Sequence, residues 1–230
     1  MPKNLVEIAF EILAFLFALS VHEASHAYAA DKLGDDTARR LGRVTLNPWP
    51  HIDLFGSIIL PAIGLISGGM ILGWAKPTPV NPSRLRHPRR DDILVTAAGP
   101  FSNLMVAVIA LLLLLAIRVA SKEGAVAVEQ IAGGYANALD RQSASAITPV
   151  ALLLYYLLNI NVLLAVFNMI PLPPLDGGQI MGQLIPPSWQ PAYRVLSNYS
   201  FIILVLLLVL GLPFYLFDPV IHAFRRLLLS

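Results

Sequence analysis

The sequence predicts an all-α polytopic membrane protein, with about four transmembrane helices plus a re-entrant, β-like segment on the cytoplasmic side. Three observations carry this expectation. Of the 230 residues, 57% are hydrophobic and only 13% are charged, whereas soluble domains carry about 25% charged residues. Mean hydropathy is +0.69, a value of chains that place helices in lipid. Several apolar runs approach the ~20 residues that a helix needs to cross the hydrocarbon core.

The net charge of +2 leaves no broad basic surface, so nucleic acid is not an expected partner. There are no cysteines. Disulfides, Cys-type zinc sites and thiol catalysis are thereby excluded, and any metal falls to His, Asp or Glu.

The first apolar run is Ile12–Ala30, with a weakly polar extension back to Asn4. Ala27-Tyr28-Ala29 looks like a signal-peptide cleavage site, but Lys3 is set against Glu7 and Glu11, so a retained helix is expected. The second run is Ile93–Ile117, the third Ala146–Ile170 and the fourth Phe201–Phe217. A fifth, Leu54–Gly73, holds Pro61 and the glycines Gly56, Gly64, Gly68, Gly69 and Gly73. That composition suits a broken or re-entrant element. Lys32, Arg39, Arg40 and Arg43 precede it, and Lys76, Arg84, Arg86, Arg89 and Arg90 follow it. Basic short loops stay cytoplasmic, and a segment that dips in and returns keeps both clusters inside.

The topology expected from this bias starts with the N-terminus outside. Helix one runs inward, residues 31–92 are cytoplasmic, helix two runs outward and 121–145 are external. Helix three runs inward and helix four outward. Arg225 and Arg226 in the tail run against the bias; the tail is expected at the interface as a short amphipathic end built on Ile221, Phe224, Leu227 and Leu228. Gly42–Pro48 and Trp74–Pro82 both end in Asn-Pro and are expected as strands or irregular loops. No repeat or linker divides the chain, so 1–230 is expected to be one domain. Its core covers about 10–185, and 186–230 form a C-terminal helix and tail.

The chemistry concentrates in His22-Glu23-Ala24-Ser25-His26, an H-E-x-x-H pattern. Histidines four apart on a helix differ by about 40° and share one face, so both can hold one zinc ion. Glu23 beside them is the candidate general base, acting on a water that zinc acidifies toward a pKa of about 7. Three such residues in lipid are costly without partners. Polar residues merely wetted at an interface would not require this spacing.

A hydrolytic zinc site needs a third protein ligand. Asp176 is the candidate, in the stretch from Asn168 through Pro171, Pro173 and Pro174 to Gly177 and Gly178 that follows run three. Helices one and three both run inward, so Asp176 and the histidines end at one face. The alternative for Asp176 is to cap a short helix over Gly178–Leu184.

Three motifs in order, HEASH on run one, Ala97-Ala98-Gly99-Pro100-Phe101-Ser102-Asn103 on run two and the N-x-x-P-x-P-P-L-D-G-G stretch after run three, together resemble the site-2 protease family. The likeness is to its compact prokaryotic branch without PDZ or CBS domains, over about residues 10–185. It implies intramembrane peptide hydrolysis, one Zn2+ per chain on His22, His26 and Asp176, and Glu23 as base. It further implies that Asn168 contacts substrate or the oxyanion and that Asn103 is supporting. Gly99 is expected to permit close helix packing. Gly73–Pro82 resembles the family's re-entrant β region, which offers an edge to an extended substrate. The implied partners are a transmembrane protein substrate and the lipid bilayer. The implied place is the plasma membrane, multi-pass, with the active site toward the cytoplasm. No motif speaks to oligomeric state.

Glu7 and Glu11 are expected in the headgroup region, and His51, His87 and His222 outside any metal site. Asn159 and Asn161 are expected in hydrogen bonds between helices. A metal transporter would require further ligands along a path through the bilayer. A di-metal bundle would require a second E-x-x-H, which the sequence lacks. An inactive scaffold fits poorly with an intact set of candidate ligands.

Overall fold

The computed structural model describes residues 5–66, 73–134 and 145–230. In chain order the α-helices are α1 (Leu5–Leu33), α2 (Thr37–Arg40), α3 (Leu60–Ile66), α4 (Pro88–Ala120), α5 (Lys122–Ala132), α6 (Thr148–Asn168), α7 (Asp176–Leu184), α8 (Gln190–Val209) and α9 (Leu212–Leu229). A π-helical turn, Leu54–Ile59, leads into α3. No strand occurs among the described residues. The all-helical expectation therefore holds, and both Asn-Pro segments are irregular.

Three described helices are long and apolar enough to cross a membrane: α1, α4 and α6. They form the centre of the bundle. Ala14 and Ala18 of α1 have no exposed surface. Such small side chains let helix backbones approach closely. Phe15 and Leu19 of α1 pack against Ile160 and Leu164 of α6, with Ala75 from the loop beside them. A second cluster joins Ala107, Leu111 and Leu114 of α4 to Val128 and Ile131 of α5, Ala151 and Leu158 of α6, and Ile221 and Leu228 of α9. The far side of α4 leaves Phe101, Ile109, Leu112 and Leu113 exposed. An apolar face bare in the chain itself is the face a lipid covers.

Several boundaries differ from the sequence expectation. The run Phe201–Phe217 is not one helix. Gly211 takes a left-handed conformation (φ 70°) and separates α8 from α9, a conformation that costs glycine little. Helix α8 starts at Gln190, well before the apolar run. The tail does not lie alone at an interface: Ile221 and Leu228 are core residues, while Leu227 is exposed. The loop expected as external contains α5, capped by Ser121, whose hydroxyl accepts from the Gly124 N–H at 2.9 Å. Glu11 is buried inside the bundle. Pro61 is the second residue of α3, which continues directly from the π-helical turn. The rest of the Leu54–Gly73 stretch, residues 67–72, lies outside the described residues.

Candidate metal centre

His22 and His26 sit on one face of α1, edge to face, with ring centroids 4.7 Å apart. Each ring is oriented from behind by α4. The Nδ1 of His22 is 2.6 Å from Asn103 Oδ1, and the Nδ1 of His26 is 2.8 Å from the Val95 carbonyl. Both partners are acceptors only, so both Nδ1 atoms carry the proton, and in the neutral rings that bind a metal both Nε2 atoms present lone pairs. Asn103 is itself fixed: its amide donates to the Ala18 carbonyl (3.1 Å) and to Asn161 Oδ1 (2.8 Å). Asn161 thus makes the interhelical bond expected of it, whereas Asn159 donates to Tyr155 of its own helix.

Asp176 comes from the other side. Gly177 and Gly178 lie flush against the loop before them. A Cβ on Gly177 would stand 2.3 Å from the Met169 carbonyl, and one on Gly178 2.3 Å from Pro173 N. Any side chain at either position would push α7 off the loop. Helix α7 is tied to the start of α4 by Gln183 donating to Asp92 (2.7 Å) and Arg89 donating to the Gln183 carbonyl (2.7 Å). Asp176 is the first residue of α7 and does not cap it, since the cap position is Leu175 and lacks a side-chain bond. Its carboxylate is turned to the histidines instead.

The Nε2 atoms are 3.1 Å apart, and Asp176 Oδ2 lies 3.1 Å from His22 Nε2 and 3.6 Å from His26 Nε2. That oxygen is buried and takes no hydrogen bond from a described residue. Three lone-pair atoms facing one another without a proton between them repel unless a cation sits among them. Ligand atoms on a tetrahedral zinc at ~2.1 Å lie roughly 3.4 Å apart, which matches this triangle. His22, His26 and Asp176 are all buried and form the one described group of three or more such residues placed to hold a metal ion. A site of two histidines and one carboxylate leaves a position open for substrate or water.

Gly99 is closer to this centre than a packing role requires. A Cβ there would lie 2.4 Å from His26 Nε2 and 2.7 Å from His22 Cε1. Glu23 is buried beside the histidines, and Thr78 donates to its Oε2 from both the backbone N–H (2.9 Å) and the hydroxyl (2.7 Å). Thr78, Val95 and Asp35 carry no signal in the sequence. Asn168 ends α6 with its amide donated to the Leu164 carbonyl (3.0 Å), half-buried and bonded to none of the metal-site residues. His51, His87 and His222 stand apart from the group: buried His51 pairs its Nε2 with the Thr45 carbonyl (2.9 Å).

A helical bundle of membrane-spanning length with two histidines and an aspartate around one point defines a membrane-embedded metalloenzyme. The family model for peptidase family M50 matches residues 10–210, and the chain belongs to that family. Among curated proteins, it is 35% identical to YwhC of Bacillus subtilis (strain 168), which carries the name of a zinc metalloprotease, over 95% of this chain and 89% of that one. It is 29% identical to a protein of Mycolicibacterium smegmatis named for the zinc metalloprotease Rip2, over 90% of this chain and 70% of that one. No solved structure matches. The protein is a multi-pass membrane metalloprotease, and zinc is its metal.

Proposed function

We propose that the protein hydrolyses a peptide bond in or near the transmembrane segment of a membrane-protein substrate, with zinc on His22, His26 and Asp176. The observation that carries this reading is the convergence of three buried metal-ligating side chains beside Glu23, with His22, His26 and Glu23 on a helix long and apolar enough to cross a membrane. When bound, zinc supplies Lewis acidity and makes water a proton donor near neutral pH. Glu23 takes a proton from the attacking water. The water oxygen bonds to the substrate carbonyl carbon, the C–N bond breaks, and the proton passes to the leaving nitrogen. Asn168 has a second amide proton beyond the one given to Leu164, available to the substrate carbonyl as negative charge develops there.

A helical substrate hides its peptide bonds and must be extended first. Residues 73–80 offer an edge for this. The N–H groups of Trp74, Lys76 and Thr78 point back into the protein, to the Gly56 carbonyl (3.2 Å), the His51 carbonyl (2.8 Å) and Glu23. The alternate positions, Ala75, Pro77 and Pro79, face the opposite way, and their carbonyls have no partner among the described residues. An extended peptide can add along that side.

The same reading places the chain in the plasma membrane as one domain with four passes. Helix α8 is the fourth pass, and Leu54–Gly73 is a re-entrant segment. The catalytic end faces the cytoplasm, since both basic clusters lie at that end of α1 and α4. The deciding experiment is cleavage of a single-span substrate by purified, reconstituted protein. Glu23→Gln is expected to keep its zinc and cut nothing, and Asp176→Asn to lose zinc. Cleavage by Glu23→Gln at the wild-type rate would remove Glu23 from the mechanism.

A further inference from the structure

We infer that Thr78 is a positioning residue for the general base: it holds one oxygen of Glu23 and leaves the other as the only one free to take a proton. The inference rests on the reading of Glu23 as base and goes further by naming what aims it. Glu23 Oε2 receives two donors from this single residue, the backbone N–H at 2.9 Å and the hydroxyl at 2.7 Å. The same hydroxyl stands 3.1 Å from the Glu23 carbonyl, so Thr78 grips both the main chain and the side chain of α1 at this point. Oε1 takes no hydrogen bond from a described residue. A glutamate has three rotatable bonds, and without this grip its carboxylate samples orientations in which neither oxygen meets the reacting water.

The grip is itself rigid. Thr78 lies between Pro77 and Pro79, whose rings fix φ on both sides and hold Thr78 extended. The segment is anchored on each side of it, by Lys76 N–H on the His51 carbonyl and by Asn81 N–H on Asp35 (2.6 Å). Arg43 adds a bond to the Lys76 carbonyl at 3.2 Å. The prolines also remove the neighbouring donors, so Thr78 N–H is the only backbone donor of 77–79. One short segment therefore aims the base on its inner side and presents free carbonyls on its outer side.

The test separates positioning from folding. Thr78→Val keeps the shape and the backbone N–H and removes the hydroxyl; Thr78→Ser keeps both donors. In the reconstituted protein with a single-span substrate, Thr78→Val is expected to lower kcat about 10-fold or more, with KM and zinc content unchanged, and Thr78→Ser to restore most of it. Wild-type kcat in Thr78→Val, or equal losses in Thr78→Ser and Thr78→Val, or a loss confined to KM or zinc content, would each overturn the inference. Glu23→Gln run alongside distinguishes the two ideas. If it is inactive while Thr78→Val is fully active, Glu23 stands as base and Thr78 does not aim it. If Glu23→Gln cleaves normally, the base assignment falls and the inference falls with it.

Discussion

At the residue scale, the centre depends on contacts that orient imidazoles rather than on the ligands alone. Asn103 makes three bonds with no exposed surface. Asn103→Ala strands His22 Nδ1 and Asn161 Oδ1, and an unsatisfied buried polar group costs about 1–3 kcal/mol. Loss of such a supporting partner lowers metal affinity about 10- to 100-fold. Asn103→Asp keeps the acceptor for His22 and loses both donors. Zinc titration against a chelator is expected to show weak binding in Asn103→Ala and near-normal binding in Asn103→Asp; equal affinities in the two would contradict the orienting role. Gly99→Ala puts a methyl into the imidazoles, and overpacking of this kind costs about 1–3 kcal/mol. The outcome expected is a helical protein by circular dichroism that no longer retains zinc on a sizing column. Full zinc with full activity would show that the histidines can give way. The pairing of His22 with His26 was legible because helix periodicity alone puts both on one face of α1. Thr78 and Val95 were not, since their roles arise from pairings 55 and 69 residues apart, and Val95 contributes a carbonyl that any residue would carry.

At the element scale, the segment over 73–81 has no regular structure and is held by separate anchors. Asp35 is the one nearest its end. Burial alone would raise its carboxyl pKa, but hydrogen bonds from Thr37 and Asn81, with Arg84 nearby, outweigh that and hold it below the ordinary 3.8. A depressed carboxylate stabilises the fold fully above its unfolded pKa, and this contribution is lost as pH falls through the folded value. Amide exchange at Asn81, corrected for intrinsic rates, is therefore expected to stay slow through the ordinary carboxylate range and to quicken only below it. Asp35→Asn is expected to exchange faster already at neutral pH. Release of wild-type Asn81 near neutral pH would argue against Asp35 as the anchor. Hydropathy indicated the apolar middle of each long helix but not the ends. Helix α4 begins at Pro88, where Asp91 accepts from the His87 N–H at 2.8 Å, so charged residues belong to a helix whose apolar run starts later. Helix α5 escaped notice because 11 residues with one apolar face give too short a signal.

At the scale of the whole molecule, the course of α8 and α9 decides how many times the chain crosses. Helix α8 starts beside α7, where Tyr193 donates to the Gly178 carbonyl and Gln190 to the Gly182 carbonyl (3.0 Å). Helix α9 ends against the opposite part of the bundle. Its Arg225 donates to the Tyr155 hydroxyl at 2.9 Å, and Tyr155 lies 13 residues, about 20 Å, before the end of α6 that leads to Asp176. Between those contacts α8 supplies 20 residues of helix, about 30 Å, the length of a hydrocarbon crossing, although among the described residues only α1, α4 and α6 are apolar enough as well. On the proposed four-pass reading, Arg225 and Arg226 lie outside despite their charge. The tail is held on the bundle by the burial of Ile221 and Leu228 against α4–α6 and by the Arg225–Tyr155 bond, a local packing gain that the charge bias, read from sequence, does not contain. With no native cysteine to interfere, single cysteines at Ser83, Ser121 and Ser230 can be labelled in oriented vesicles with a membrane-impermeant maleimide. Ser83 is expected to label from the cytoplasmic side, and Ser121 and Ser230 from the outside. Cytoplasmic labelling at Ser230 with external labelling at Ser121 would mean that α8 does not cross, and α9 would then have to leave the α5–α6 surface on which Ile221 and Leu228 are packed.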